Sequence, residues 1–457
     1  MCTWESLAVA LQASPDSELV PGVEKTLELN EGSTLTFVVT LADRAPLVLV
    51  APDAAWHLLD ETHAWWKAWS SDVVHEGPFR EDVVRSLVTL RLLTYSPSGA
   101  PVAAPTTSLP ELIGGRRNWD YRFAWPRDAS IGIAAFLGVG KREEAHSFMH
   151  WLLHASRLTR PRMEVLYTIL GKPGPREQEL ENVHGYRDSR PVRIGNAASS
   201  QHQLDVYGWV LDAAWLLSRS RMLHGETWRV MSGFADFVAA HWREPDAGIW
   251  EVRGARAHYV HSKLMGWLAL DRACRIATTH KTRKLRVVHW SRQRDELARQ
   301  IRLNGFDPGR GAYVWAYGSS ELDAALLLLP VLEFEVPGSP RLETTVTAIQ
   351  SGLRANGALL YRYRPGADGL EGQEGAFLPC SFWLAQALAR LGRVDQAVDI
   401  LGEVLATSND VRLLPEEIDL ATRAHLGNFP QAFSHAAMVQ AALAIQAATR
   451  NDVPAGR

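Results

Sequence analysis

Apolar residues recur along most of this chain at three- and four-residue intervals, the spacing that lines one face of an α-helix. The pattern predicts helices over 60–70 and 80–95, the second stopped by Ser96-Pro97-Ser98-Gly99. Past residue 127 it predicts eleven more, over 128–139, 142–156, 203–218, 227–241, 259–277, 292–303, 321–332, 342–353, 381–391, 395–406 and 431–447. One device occurs twice, in Phe136-Leu-Gly-Val-Gly-Lys-Arg-Glu-Glu-Ala145 and Leu391-Gly-Arg-Val-Asp-Gln-Ala397. Each reads as helix, glycine cap, acidic restart and second helix, an antiparallel helical hairpin. Only the first fifty residues differ. There 23–29 and 33–41 carry alternating or β-branched apolar residues around Asn30-Glu31-Gly32, which predicts a β-hairpin. Two or three strands are marginal alone, so this piece needs a larger surface to lie against.

Successive helical hairpins without strand partners must bury their apolar faces helix on helix. An open solenoid would repeat at a fixed period of about 30–50 residues. Here the connections run from two residues to roughly forty between Arg157 and Ala198, and long polar loops of that kind carry function. The pattern favours a closed ring.

Composition narrows the function classes. With 457 residues, 46% hydrophobic and 22% charged, the chain is ordinary for a globular protein, and a formal charge of −3 excludes nucleic acid and anionic membrane surfaces as electrostatic partners. No apolar run approaches the ~20 residues of a membrane span. The start Met-Cys-Thr-Trp-Glu-Ser lacks a basic region and an apolar core, so a cytoplasmic location is expected. Cys2, Cys274 and Cys380 are scattered and form no disulfide framework or zinc cluster. His146, His150 and His154 lie four apart on one predicted helix, but no carboxylate or cysteine loop is tied to them, and they read as a histidine stripe rather than a metal site. Gly138-Val-Gly-Lys141 lacks the Ser/Thr and strand of a phosphate loop and reads as a hairpin corner. No metal and no cofactor are expected.

The chemistry concentrates in the connections. Gly114-Gly115-Arg116-Arg117-Asn118-Trp119-Asp120-Tyr121-Arg122-Phe123-Ala124-Trp125-Pro126-Arg127-Asp128 packs arginines, aspartates and aromatics against the start of a helix. Aromatic faces stack on sugars, and Arg–Asp pairs bridge adjacent hydroxyls. A second segment, Gly185 to Asn196, is again rich in Arg, Asp and Tyr; a third, Pro245 to Gly254, sets Glu251 between Trp250 and Arg253; a fourth carries Pro415-Glu416-Glu417. Two carboxylates on separate loops of one rim suit glycosidic cleavage, in which one protonates the leaving oxygen and the other completes the displacement. The same residues also read as ordinary ion pairs and turn caps.

These motifs resemble the glucoamylase-like family of inverting glycoside hydrolases, family 15. Gly114-Gly115 with Asn118 to Arg122, Trp125 and Arg127-Asp128 is similar to its signature, Gly248 to Gly254 to its general-acid segment, and Pro415-Glu416-Glu417 with Gly427 to His435 to its general-base segment. The resemblance spans about 50–457 and implies a mainly α fold, an (α/α)6 barrel over 105–457. It also implies a helical linker over 51–104 and, over 1–50, a β-rich remnant of the family's N-terminal sandwich, through which the chain could self-associate. It further implies release of β-glucose from the non-reducing end of short α-glucosides of maltose or isomaltose type, with trehalose or bare sugar binding as alternatives. Glu251 would be the acid and Glu416 the base, with Glu417 the less favoured choice. Trp125, Arg127 and Asp128 would grip the terminal glucose, with Trp250, Arg253 and Arg362 as further contacts and Arg364 competing with Arg362. Pro126 and Ile418 depart from the family pattern, the latter where a tyrosine is common.

Overall fold

The computed structural model describes residues 2–14, 20, 22–219, 222–280, 282–336, 338–370 and 372–452. It divides into two units, Met1–Val73 and Val74–Arg457. In the first, strands β1 (Cys2–Trp4), β2 (Leu7–Ser14) and β3 (Thr36–Asp43) form an antiparallel sheet in the order β1-β2-β3, followed by helix α1 (Pro52–Ser71). Residues 22–30 form no strand, so the expected hairpin about Asn30 is replaced by a pairing of β3 with β2, in which Thr36 faces Ser14 and Asp43 faces Leu7. The alternation in β3 is real, but its partner lies across a long connection that local turn signals do not reveal. Phe37, Val39 and Leu41 point to one exposed face of this strand. Trp65, Trp66 and Trp69 of α1 pack on one another.

The second unit holds twelve helices among the described residues: α2 (Arg80–Leu92), α3 (Pro126–Gly138), α4 (Arg142–Ala155), α5 (Asp205–Ser218), α6 (Gly225–His241), α7 (Val260–Ala277), α8 (Lys284–Asn304), α9 (Leu328–Val331), α10 (Pro340–Gly352), α11 (Leu378–Arg390), α12 (Val394–Leu405) and α13 (Ala432–Asp452). Helices α3, α5, α7, α9 with its leading 3-10 turn Ala324–Leu327, α11 and α13 pack in that order, and α13 returns to α3. The ring therefore closes, as the irregular connections implied. The remaining six lie outside it in an (α/α)6 barrel.

Burial separates the two layers. Helix α7 buries 16 of its 18 residues, whereas α8 buries only Trp290, Leu297, Ala298 and Ile301. An inner helix must be apolar nearly all round, while an outer one needs a single stripe. The expected helix over 321–332 is instead an extended lead-in followed by a 3-10 turn and one short α-helical turn.

The inner helices share one direction. Residues at or just before the starts of α3, α5, α11 and α13 line one cavity. The later turns of α5, α7, α11 and α13, with α9, surround a second hollow of about 1370 Å3 bordered by Arg219, Arg272, Arg275 and Arg390. No helix among the described residues is long and apolar enough to cross a membrane.

Candidate active site

Trp125 immediately precedes α3 in an extended conformation, φ −89° and ψ 129°. The following proline disfavours helical geometry there, while Pro126 itself takes a first-turn position where a missing N–H breaks no helical bond. The departure at Pro126 is thus a helix start. The Trp125 ring packs on Ala103, Val165, Leu166 and Ala198 and meets Tyr121 edge-on, with centroids 5.6 Å apart. Its Nε1 donates to Glu251 Oε1 at 2.9 Å, and the Tyr121 hydroxyl donates to Glu416 Oε1 at 2.7 Å. One aromatic pair therefore holds both carboxylates, although Glu251 and Glu416 come from loops 165 residues apart.

The cavity measures about 860 Å3 with its open mouth. All eight residues singled out from the sequence border it: Glu251, Glu416, Trp125, Arg127, Asp128, Trp250, Arg253 and Arg362. Arg127 Nε donates to Asp128 Oδ2 at 3.1 Å, and its Nη1 donates to the Ile249 carbonyl at 3.3 Å and lies 3.5 Å from Glu251 Oε1. Burial opposes the Arg127 charge, but Asp128 and Glu251 more than restore it. Trp250 Nε1 donates to Asp323 Oδ1 at 2.8 Å. Arg253 forks onto Glu177 at 3.0 and 2.7 Å and lies over the Trp119 ring. It does not pair with Glu251. Arg364 is exposed, beside Glu321, which leaves Arg362 as the cavity arginine of that pair.

Glu416 and Glu417 are both buried but differently employed. The short strand Glu417–Ile418 lies between Ala376–Phe377 and His425–Leu426, so consecutive side chains point opposite ways. Glu416 borders the cavity and accepts from Tyr121 and from the Asn428 N–H at 3.2 Å. Glu417 accepts from the Gly375 N–H and from Arg362 at 3.4 Å. Ile418 is fully buried, and Tyr121 supplies the hydroxyl that holds Glu416.

Beneath the cavity lies a charge network that the sequence did not reveal. Arg362 bonds Glu374 at 2.9 and 2.5 Å and Glu111 at 3.2 Å. Arg117 bonds Asp368 at 2.7 and 3.0 Å and Glu374 at 3.1 Å. Carboxylate oxygens of Glu111, Glu374 and Glu417 lie within 4.8 Å of one another, close enough for a cation. The guanidinium of Arg362 already bonds all three, so the positive charge is supplied by protein. The histidine stripe does not form such a group among the described residues.

Five carboxylates (Glu111, Asp368, Glu374, Glu416 and Glu417) against two guanidiniums cannot all ionise without cost. Burial first, and then Glu111, push Glu416 above the usual carboxylate range, while Arg362, Tyr121 and the Asn428 N–H pull it back. Burial, Glu111 and Glu374 push Glu417 well up. Glu251 is also raised, by burial, against the pull of Arg127 and Trp125.

Tyr121, Trp119, Glu111, Arg117, Asp368 and Gln201 also border the cavity, and sequence reasoning assigned none of them a role. Tyr121 and Trp119 stood in the motif itself, and their spacing from Trp125 was the available signal. The ion-pair partners carried none, since Arg362 and Glu111 lie 251 positions apart.

The family model described as glycosyl hydrolases family 15 matches residues 77–443. A trehalase of Mycolicibacterium smegmatis is 38% identical over 418 residues, covering 90% of this chain and 62% of its own length. One of Mycobacterium tuberculosis is 40% identical over 397 residues, 86% of this chain and 58% of its own. The chain thus spans about 60% of the length of the curated relatives it matches. A bacterial glucoamylase complexed with acarbose has a similar fold, with a TM-score of 0.71 at 14% identity over 97% of this chain and 72% of that one. A glycosidase E335A in complex with glucose gives 0.64 at 19% identity over 80% and 96%.

Proposed function

The chain belongs to glycosyl hydrolases family 15, and from that membership and the geometry of the cavity we propose that it hydrolyses an α-glucosidic bond of a disaccharide, trehalose first among them. The observation that carries this reading is the Tyr121–Trp125 pair, which holds Glu416 on one side and Glu251 on the other of a single cavity. The names of the relatives favour trehalose over the maltose and isomaltose substrates expected first.

In this reading Glu251, whose charged form burial disfavours, gives its proton to the glycosidic oxygen. Glu416, ionised with the help of two hydrogen-bond donors, takes a proton from a water attacking the anomeric carbon from the opposite face. The carbon–oxygen bond to the leaving sugar breaks as the new one forms. Glu416 borders the cavity and Glu417 does not, which supports Glu416 as the base. Arg127 and Asp128 fix hydroxyls of the terminal glucose, Trp125 and Trp250 wall its ring, and Arg253 meets the second sugar. Arg362 acts chiefly by compensating the carboxylates beneath. An inverting enzyme accommodates its water in a carboxyl separation of ~6.5–9.5 Å.

Proton NMR at first turnover tests the mechanism. Inversion of α,α-trehalose yields equal α- and β-glucose before mutarotation; α-glucose alone would refute it. Maltose and isomaltose, offered separately, establish the preference, and faster turnover of either would displace trehalose. The apolar face of Phe37, Val39 and Leu41 supports self-association through β3, and a concentration-independent monomer in sedimentation would exclude it.

A further inference from the structure

Glu251 adopts φ +56°, a left-handed conformation that disfavours any side chain except under external restraint. A carboxyl-bearing residue cannot be exchanged for glycine here without losing the carboxyl, so something must hold the backbone. Within the loop, Glu251 N–H donates to the Gly248 carbonyl and Val252 N–H to the Ala247 carbonyl, both at 3.2 Å. Arg127 and Asp323 hold the neighbouring Ile249 and Trp250, and the restraint on the turn's own carbonyls comes from the segment leading into α5. Gln201 Nε2 donates to the Glu251 carbonyl at 3.0 Å and reaches the Val252 carbonyl at 3.4 Å, spanning both sides of the turn. The His202 carbonyl accepts from Ala247 N–H at 3.0 Å, and Leu204 N–H donates to Asp246 Oδ2 at 2.9 Å.

The orientation of the Gln201 amide is itself determined. Gln203 is buried, and its Nε2 donates to Gln201 Oε1 at 2.9 Å. That bond assigns the oxygen of Gln201 to Gln203 and its NH2 group to the Glu251 turn. Gln201 borders the cavity, yet its side chain bonds to the two carbonyls and to Gln203, so its influence on the reaction passes through Glu251.

We propose that Gln201, oriented by Gln203, is a positioning residue that holds Glu251 in its left-handed conformation and so aims the acid at the glycosidic oxygen. This rests on the reading of Glu251 as general acid. A proton donor is needed for a sugar leaving group but not for fluoride, which departs unprotonated. Substrate pairs therefore separate a misplaced acid from a damaged enzyme.

The experiment compares trehalose with α-glucosyl fluoride for Gln201→Leu, the isosteric Gln201→Glu, Gln203→Leu and Glu251→Gln. Both Gln201 variants should lower kcat on trehalose by on the order of 100-fold, the loss that follows a misplacement of about 1 Å, with KM nearly unchanged. Fluoride turnover should stay within about threefold of the native chain, and Gln203→Leu should shift both in the same sense but less. Glu251→Gln supplies the reference: if it retains trehalose hydrolysis, the parent reading fails. If it loses trehalose but spares the fluoride, while the Gln201 variants lower both substrates alike or neither, the positioning role is overturned. Should Gln201→Leu fail to fold, Gln201→Glu, which keeps the shape but turns the donated bond into repulsion of the two carbonyls, decides the matter.

Discussion

Replacing Tyr121 by Phe removes one atom at a place where the geometry permits a worked expectation. The hydroxyl donates to Glu416 Oε1 at 2.7 Å, with Glu416 buried and Tyr121 half-buried. A hydrogen bond to a charged group contributes about 1.5–3 kcal/mol, and ~1.4 kcal/mol corresponds to one pH unit. The bond favours the ionised carboxylate, so its loss raises the pKa of Glu416, already pushed up by burial and by Glu111. The limb of the kcat/KM profile at which Glu416 loses its proton should move to higher pH by about 1–2 units. Below that limb the rate should fall by about 10- to 100-fold. The ring remains, so its edge contact with Trp125, and hence the Glu251 side of the site, is undisturbed. The assay is kcat/KM on trehalose across pH, with thermal unfolding as a control. A limb that stays within about 0.3 unit in a variant of native stability would refute the assignment of Glu416 as base.

Three further outcomes follow from the same network. A Cβ at Gly427 would stand 2.3 Å from Glu416 Oε2 and the backbone there has φ +72°, so Gly427→Ala should cost at least ~1–2 kcal/mol in urea unfolding and lower kcat sharply. Arg362→Met leaves Glu111, Glu374 and Glu417 without their shared cation; a loss of ~3–5 kcal/mol is expected, and a drop below ~1 kcal/mol would mean that the carboxyls had simply taken up protons. Burial raises Asp323 from 3.8 to about 7, against the pull of its bonds from Ala325 N–H and Trp250 Nε1. A raised carboxyl lends stability fully present below its unfolded pKa and lost as pH climbs to its folded value, here up to ~4 kcal/mol between about pH 4 and 7. Asp323→Asn keeps the accepting oxygen, so its stability should decline less over that window; equal declines in the two proteins would count against the shift.

The ring and the two acid-bearing loops were legible because each rests on local signals. Glycine caps and acidic restarts announce helical hairpins, and the flanking Trp250 and Arg253 single out Glu251. What escaped notice depends on residues distant in sequence. Strand β3 has the expected alternation, but its partner β2 precedes a long connection, which a local turn signal cannot span. The apolar run Ala324 to Leu332 reads as one helix, yet Asp323 pairs with Tyr363 and caps a 3-10 turn, which shortens the helix to four residues. Strand alternation turns Glu416 and Glu417 to opposite sides, and that shows only once the neighbouring strands are placed.

The shared direction of the inner helices makes the two mouths of the barrel electrical opposites. Backbone dipoles leave partial positive charge and unpaired N–H groups at helix starts, and partial negative charge at helix ends. The carboxylates Asp128 and Asp205 stand in the first turns of α3 and α5, toward the cavity, where that field favours anions. At the far mouth Arg219, Arg275 and Arg390 stand at the ends of α5, α7 and α11, where it favours cations. The positive border of the larger hollow there thus has a plain architectural origin: three of its four arginines stand at helix ends. Acidic chemistry sits at one pole of a protein-sized dipole, and a mirror-image site at the other pole would have to work against the backbone itself.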